Sequence, residues 1–98
     1  ITVGAVGVIS VIGNACPREF SRMVRLALQG DYAHALIIHH RFAELFKLLF
    51  VDGNPAGVKA MLHLMGACDN ILRLPLVPTR ITTMEELSGI IKSLNIKF

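Results

Sequence analysis

The sequence predicts a mainly α chain in which one buried strand is followed by four helices. Three observations carry that expectation. A Val- and Ile-rich run opens the chain. Four later stretches place apolar residues at helical spacing between Gly- and Pro-containing turns. The apolar content is high for so short a chain: 53% of the 98 residues are hydrophobic and 17% are charged, with a mean hydropathy of +0.58. A small monomer needs a polar or mixed surface, so part of this apolar surface is expected to lie against something else.

The first element, Thr2 to Ile12, reads TVGAVGVISVI. It is β-branched and apolar without clean alternation, the pattern of a strand buried on both faces in a parallel sheet or barrel. Gly4 and Gly7 allow a bend or a close approach. A lone strand cannot satisfy its own ladder of N–H and C=O groups, and this sequence offers no second strand. The start inside such a run, without Met, reads as a cut edge.

A short loop, Asn14 to Cys16, leads to the first helix. Pro17 suits a first helical turn. Phe20, Met23, Val24, Ala27 and Leu28 fall at i, i+3, i+4, i+7 and i+8 and make one apolar stripe, with Arg18, Arg22, Arg25 and Gln29 off it. Gly30 is placed to stop the helix, and Asp31 to cap the next. That helix spans about Tyr32 to Leu49. Its main stripe is Ala35, Ile38, Phe42, Leu45, Phe46 and Leu49, widened by Leu36, Ile37, Leu48 and Phe50. Apolar on more than one side, it is expected between neighbours. The short Gly30-Asp31 link favours an antiparallel hairpin.

Asp52-Gly53 signals a turn, and Asn54-Pro55 supplies a cap and a first-turn proline. The third helix covers about Pro55 to Met65, with Val58, Met61, Leu62 and Met65 on one face, and Gly66 ends it. Pro75 and Pro78 exclude a helix from the stretch Ala67 to Arg80, whose apolar residues are expected to drape over a packing surface. Thr82 with Glu85, or Thr83 with Glu86, offers a capping box. Leu87, Ile90, Ile91 and Leu94 stripe the last helix.

Few function classes find support. Ten Lys and Arg against seven Asp and Glu give a net charge of +3. The basic residues are scattered, Trp is absent and Tyr32 is the single Tyr, so no nucleic-acid partner is expected. No apolar run reaches the roughly 20 residues needed to span a bilayer, and no signal peptide is recognisable, so no membrane partner is expected. Cys16 and Cys68 have no zinc spacing and read as free thiols of a cytoplasmic protein. His39 and His40, adjacent on a helix, point about 100° apart and cannot chelate one ion from one face. His34 and His63 have no ligand spacing, and no metal site is expected. Cys16 precedes a helix, whose dipole would lower a thiol pKa, but it lacks a base. No nucleophile elbow or phosphate-binding glycine loop occurs. Lys47, Lys59, Lys92 and Lys97 do not lie at a strand end. An imine-forming lysine needs a desolvated pocket, so all four read as structural or solvated.

Three strings in register carry a resemblance over nearly the whole chain: GVISVIGNACPRE (Gly7 to Glu19), LFVDGNPAGVKAML (Leu49 to Leu62) and LRLPLVP (Leu72 to Pro78). Together they resemble the C-terminal part of the dihydrodipicolinate synthases, pyruvate-dependent class I aldolases. The first is similar to the family's eighth barrel strand and the turn after it. The second resembles its F-V-x-x-N-P-x-x-V-K stretch, and the third its R-L-P-L-x-P segment. Gly57 stands where many members have a second proline, and is expected to loosen the start of the third helix.

The resemblance implies a (β/α)8 barrel followed by a helical domain. Residues 1–30 would be the eighth βα unit and residues 31–98 the C-terminal helical domain. A whole barrel takes about 250 residues, so most of one is missing from this sequence. The implied activity condenses pyruvate, held as a lysine Schiff base, with aspartate semialdehyde in lysine biosynthesis. An N-acetylneuraminate lyase-like aldolase and an independent helical interaction module are the alternatives. No cofactor is implied, and a homo-oligomer is expected. The family's catalytic lysine, tyrosine and threonine pair match no position here, so no catalytic residue is assigned and the isolated chain is expected to be inactive. Ser10, Val11 and Asn14, at the end of the strand, would line the substrate pocket rim.

Overall fold

The computed structural model describes residues 1–97; Phe98, the end of the expected helical domain, lies outside them. A single 3-10 turn, Ile12–Asn14, precedes four helices: α1 (Pro17–Leu28), α2 (Tyr32–Leu48), α3 (Ala56–Leu64) and α4 (Ile81–Ser93). None of these is long and apolar enough to cross a membrane.

The expected strand at Thr2–Ile12 does not form. Residues 2–11 are irregular, and no strand occurs among the described residues. Gly4, at φ +97°, closes a tight turn whose N–H donates to the Ile1 carbonyl at 2.9 Å. The backbone of residues 5–9 makes no hydrogen bond with any other described segment. The physical reason is the missing ladder: strand geometry is held by partners, and these residues have none. Their side chains stand free, with Val6 88% and Ile9 fully exposed.

The helices follow the sequence closely. Pro17 occupies the first turn of α1, where its missing N–H costs nothing. The Asp31 carboxylate caps α2 by accepting from His34 N–H at 3.2 Å. Three helices close in the same way. After α1 the Asp31 N–H donates to Leu26 C=O with Gly30 left-handed. After α3 Ala67 donates to Leu62 with Gly66 left-handed. After α4 Ile96 donates to Ile91 with Asn95 in the left-handed position. This reversal satisfies carbonyls that the helix end leaves free.

The core lies among α2, α3, α4 and the turn before α1. Phe42, Leu45, Leu49, Met61 and Leu87 are fully buried, and Ile12, Ala15 and Cys16 join them. Gly57 packs directly on the backbone of Leu49: a Cβ there would lie 2.7 Å from Leu49 Cα and closer still to its carbonyl oxygen. The position expected to loosen the start of the third helix sits directly on the Leu49 backbone, at the end of α2. Arg41 of α2 donates from Nη2 to the Leu94 carbonyl at 2.7 Å, tying α2 to the end of α4.

Two further expectations are corrected. The capping box at Thr82/Glu85 or Thr83/Glu86 is absent, because both threonines lie within the first turn of α4 and Thr83 is buried. Asp52, from the turn after α2, serves that end of the helix. The stretch Ala67–Arg80 does not bury its apolar residues: Ile71, Leu74 and Val77 remain exposed, since this chain holds no surface for them to cover.

Candidate functional site

Helix α1 has a sharp apolar stripe and yet buries no residue. Such a stripe normally faces a core. Here Phe20, Met23, Val24 and Ala27 face an open groove of about 680 Å³, closed on one side by residues 7–12 and on the other by Ala35, Leu36 and Phe46 of α2. The polar side chains along it are few: Thr2, Ser10, Tyr32 and His39. No lysine lines it. The groove is thus largely apolar, with no lysine amine along it to form an imine.

The three expected rim residues share one local turn. Ser10 Oγ accepts from Gly13 N–H at 3.1 Å. The Val11 carbonyl accepts from the Asn14 backbone N–H at 3.1 Å and from its Nδ2 at 3.0 Å. Ser10 and Val11 line the groove; Asn14 is exposed and does not. The side-chain bonds hold the 3-10 turn that joins the irregular segment to the core.

Electrostatics elsewhere serve structure. Cys16 is buried, and its thiol is pushed up to about 11, first by burial and then by the Glu19 charge, against a lowering by Arg41. The helix-dipole activation suggested by its position is thus overridden by desolvation. The Asp31 carboxylate is held below its ordinary value by the His34 backbone N–H and then by the His34 ring, whose Nδ1 lies 2.7 Å away. No group of three or more His, Cys, Asp and Glu side chains capable of holding a metal occurs among the described residues.

Sequence reasoning found the α1 stripe and expected part of the apolar surface to lie against something else, without placing the groove. Tyr32 and His39 were also missed as groove residues. The signal for the stripe was present: a strongly amphipathic helix beside an unpaired apolar run.

This arrangement is that of the helical end of a (β/α)8 barrel enzyme. The solved dihydrodipicolinate synthase of Thermotoga maritima superposes with a TM-score of 0.92 at 38% identity, over 97% of this chain and 32% of that one. The chloride-inhibited dihydrodipicolinate synthase of Acinetobacter baumannii, complexed with pyruvate, superposes with a TM-score of 0.90 at 36% identity, over 96% and 32%. The 4-hydroxy-tetrahydrodipicolinate synthase of Phocaeicola vulgatus is 75% identical over 99% of this chain and 33% of its own length. The model of the dihydrodipicolinate synthetase family matches residues 1–94. The chain belongs to that family. It spans about a third of the length of the curated relatives it matches, and the match falls on their C-terminal third.

Proposed function

We propose that this chain works as the C-terminal third of a 4-hydroxy-tetrahydrodipicolinate synthase, the enzyme that condenses pyruvate with aspartate semialdehyde on the way to diaminopimelate and lysine. The observation that carries the reading is the bare front of the molecule. An apolar segment without backbone partners borders an open groove lined by the half-buried stripe of α1. Its relatives are three times as long, enough to supply the missing strands.

In this reading residues 1–30 form the eighth βα unit and residues 31–98 the C-terminal helical domain. Class I chemistry requires a lysine amine that attacks the pyruvate carbonyl, loses water and leaves an imine. That lysine belongs to the preceding part, since none of this chain's lysines reaches the groove. The end of the eighth strand, Ser10 and Val11, closes the pocket rim and excludes water, with Asn14 fixing the turn behind them. The pyruvate complex of the Acinetobacter relative supports pyruvate as the first substrate. A homo-oligomer in the cytoplasm completes the proposal, in keeping with two free thiols.

The test joins this chain to the preceding two thirds of the Phocaeicola relative. The chimera should condense the two substrates and yield a borohydride-trapped pyruvate adduct, whereas the 98-residue chain alone should do neither. A folded chimera lacking both activities, or an adduct on Lys47 or Lys59 of the isolated chain, would overturn the reading.

A further inference from the structure

The basic residues are scattered along the sequence, but three of them gather on one face of α1. We propose that the ridge of Arg18, Arg22 and Arg25 is a docking surface for an acidic polypeptide helix. The proposal goes beyond the enzymatic reading and uses none of its site.

Arg18, Arg22 and Arg25 fall at i, i+4 and i+7, and all three are exposed. They lie within about 60° of arc on the helix, and the apolar stripe of Phe20, Met23, Val24 and Ala27 is on the opposite side. The ridge therefore looks away from the apolar groove. With Ser21, Leu26 and Gln29 the three arginines border an open hollow of about 370 Å³ that no acidic residue lines. Among the described residues none of the three forms an ion pair. Glu19, the single acid of α1, stands about 100° round the helix from Arg18.

Helix stability does not account for this arrangement. Arg18 is in the first turn, where the helix dipole disfavours a cation. Like charges at i, i+4, as Arg18 and Arg22 are, weaken a helix further. The ridge is also organised. Arg25 donates from Nη2 to Ser21 Oγ at 2.9 Å and from Nε to the Ser21 carbonyl at 3.3 Å. Ser21 Oγ in turn donates to the Arg18 carbonyl at 3.2 Å. These bonds hold the Arg25 guanidinium along the helix, which lowers the side-chain entropy lost on docking.

Charge complementarity and spacing choose the occupant. Arg18 and Arg25 stand about 10 Å apart along the axis, too far for one small anion to engage both. A helix with carboxylates at i, i+4 and i+7 repeats that rise and offers each planar guanidinium a carboxylate. Leu26 adds an apolar contact at the edge of the hollow. A single-stranded nucleic acid would need aromatic faces for its bases, and the hollow has none.

The test measures fluorescence anisotropy of a labelled helical peptide with Glu at i, i+4 and i+7, added to the folded chimera described above. At low salt it should bind about tenfold more tightly than the same peptide with Gln at those positions. The difference should shrink as salt rises. Arg22→Gln combined with Arg25→Gln should weaken binding about fivefold. Lys47→Gln combined with Lys92→Gln removes the same charge elsewhere and should leave binding unchanged. Equal binding of the two peptides, or no binding of either, would overturn the proposal. So would equal losses from the arginine and lysine pairs, or tighter binding of a single-stranded oligonucleotide than of the Glu peptide.

Discussion

Asp52 reaches across from the turn after α2 to the start of α4, where its Oδ2 accepts the Arg80 backbone N–H at 3.0 Å and its Oδ1 the Arg80 Nε at 2.6 Å. Its carboxyl is held below the ordinary value, first by the Thr83 hydroxyl and then, against some desolvation, by Arg80. A residue read from sequence only as a turn former thus fixes the N-terminal end of a helix 28 positions on.

Asp52→Ala should lower the thermal midpoint by several degrees, the scale of a lost helix cap. The pH profile follows from the sign of the shifts. Asp31 and Asp52 are both lowered from 3.8. The unfolded chain therefore takes up protons first as pH falls. Their stabilisation is fully present above that value and lost below it, as pH falls through the folded pKa. Urea midpoints should hold steady from neutral pH to about 5 and drop below 4. Asp52→Asn should flatten that drop, and an unchanged acid limb would contradict the role of this pair.

Cys16 reports at the other end of the scale. Its folded thiol titrates at about 11 against 9.0 in the unfolded chain. The stabilisation is complete below 9 and is lost as pH rises toward 11. Denaturation midpoints should fall across that window in the native chain and less in Cys16→Ala. A thiol reagent at pH 8 should modify the half-buried Cys68 well before Cys16; equal rates would show that Cys16 is not sealed.

Two glycines should respond in opposite directions. Gly57→Ala forces a Cβ into the Leu49 backbone and should cost about 1–3 kcal/mol, as overpacking does. Gly89 in α4 has open space where a Cβ would stand. Gly89→Ala should therefore stabilise by about 0.5–1 kcal/mol through helix propensity. Urea unfolding followed by circular dichroism reads both; a neutral Gly57→Ala would mean that α3 sits further from α2.

Leu45→Ala should cost about 2–5 kcal/mol, since the side chain is completely buried. Val6→Ala should fall within about 0.5 kcal/mol of zero in the isolated chain, because Val6 touches little. A large effect at Val6 would reveal packing of the front segment.

The helices were legible because their signals are local. Pro17, Asp31 and Gly30 each act within a turn of their own position, and the stripe of Phe42, Leu45 and Leu49 needs only the 3.6-residue period. What failed depends on distant residues. The Thr82 and Thr83 capping boxes lost to Asp52, and a one-dimensional reading has no way to bring that residue to Arg80. The Gly57 contact with Leu49 is likewise a property of two packed elements. The first eleven residues failed for the reverse reason: their composition suggests a strand, but a strand is a relation between segments, and none forms here. Ser10, Val11 and Asn14 proved to be neighbours through the hydrogen bonds of one turn, as their spacing allows.

Ile12, Ala15 and Cys16 sit in the same buried cluster as Phe42 and Leu87. The root of the front segment is therefore clamped, and no joint exists at that point. A pull or a twist applied to residues 1–11 is delivered straight into α2, so whatever seizes that segment also grips the interior of the helical bundle.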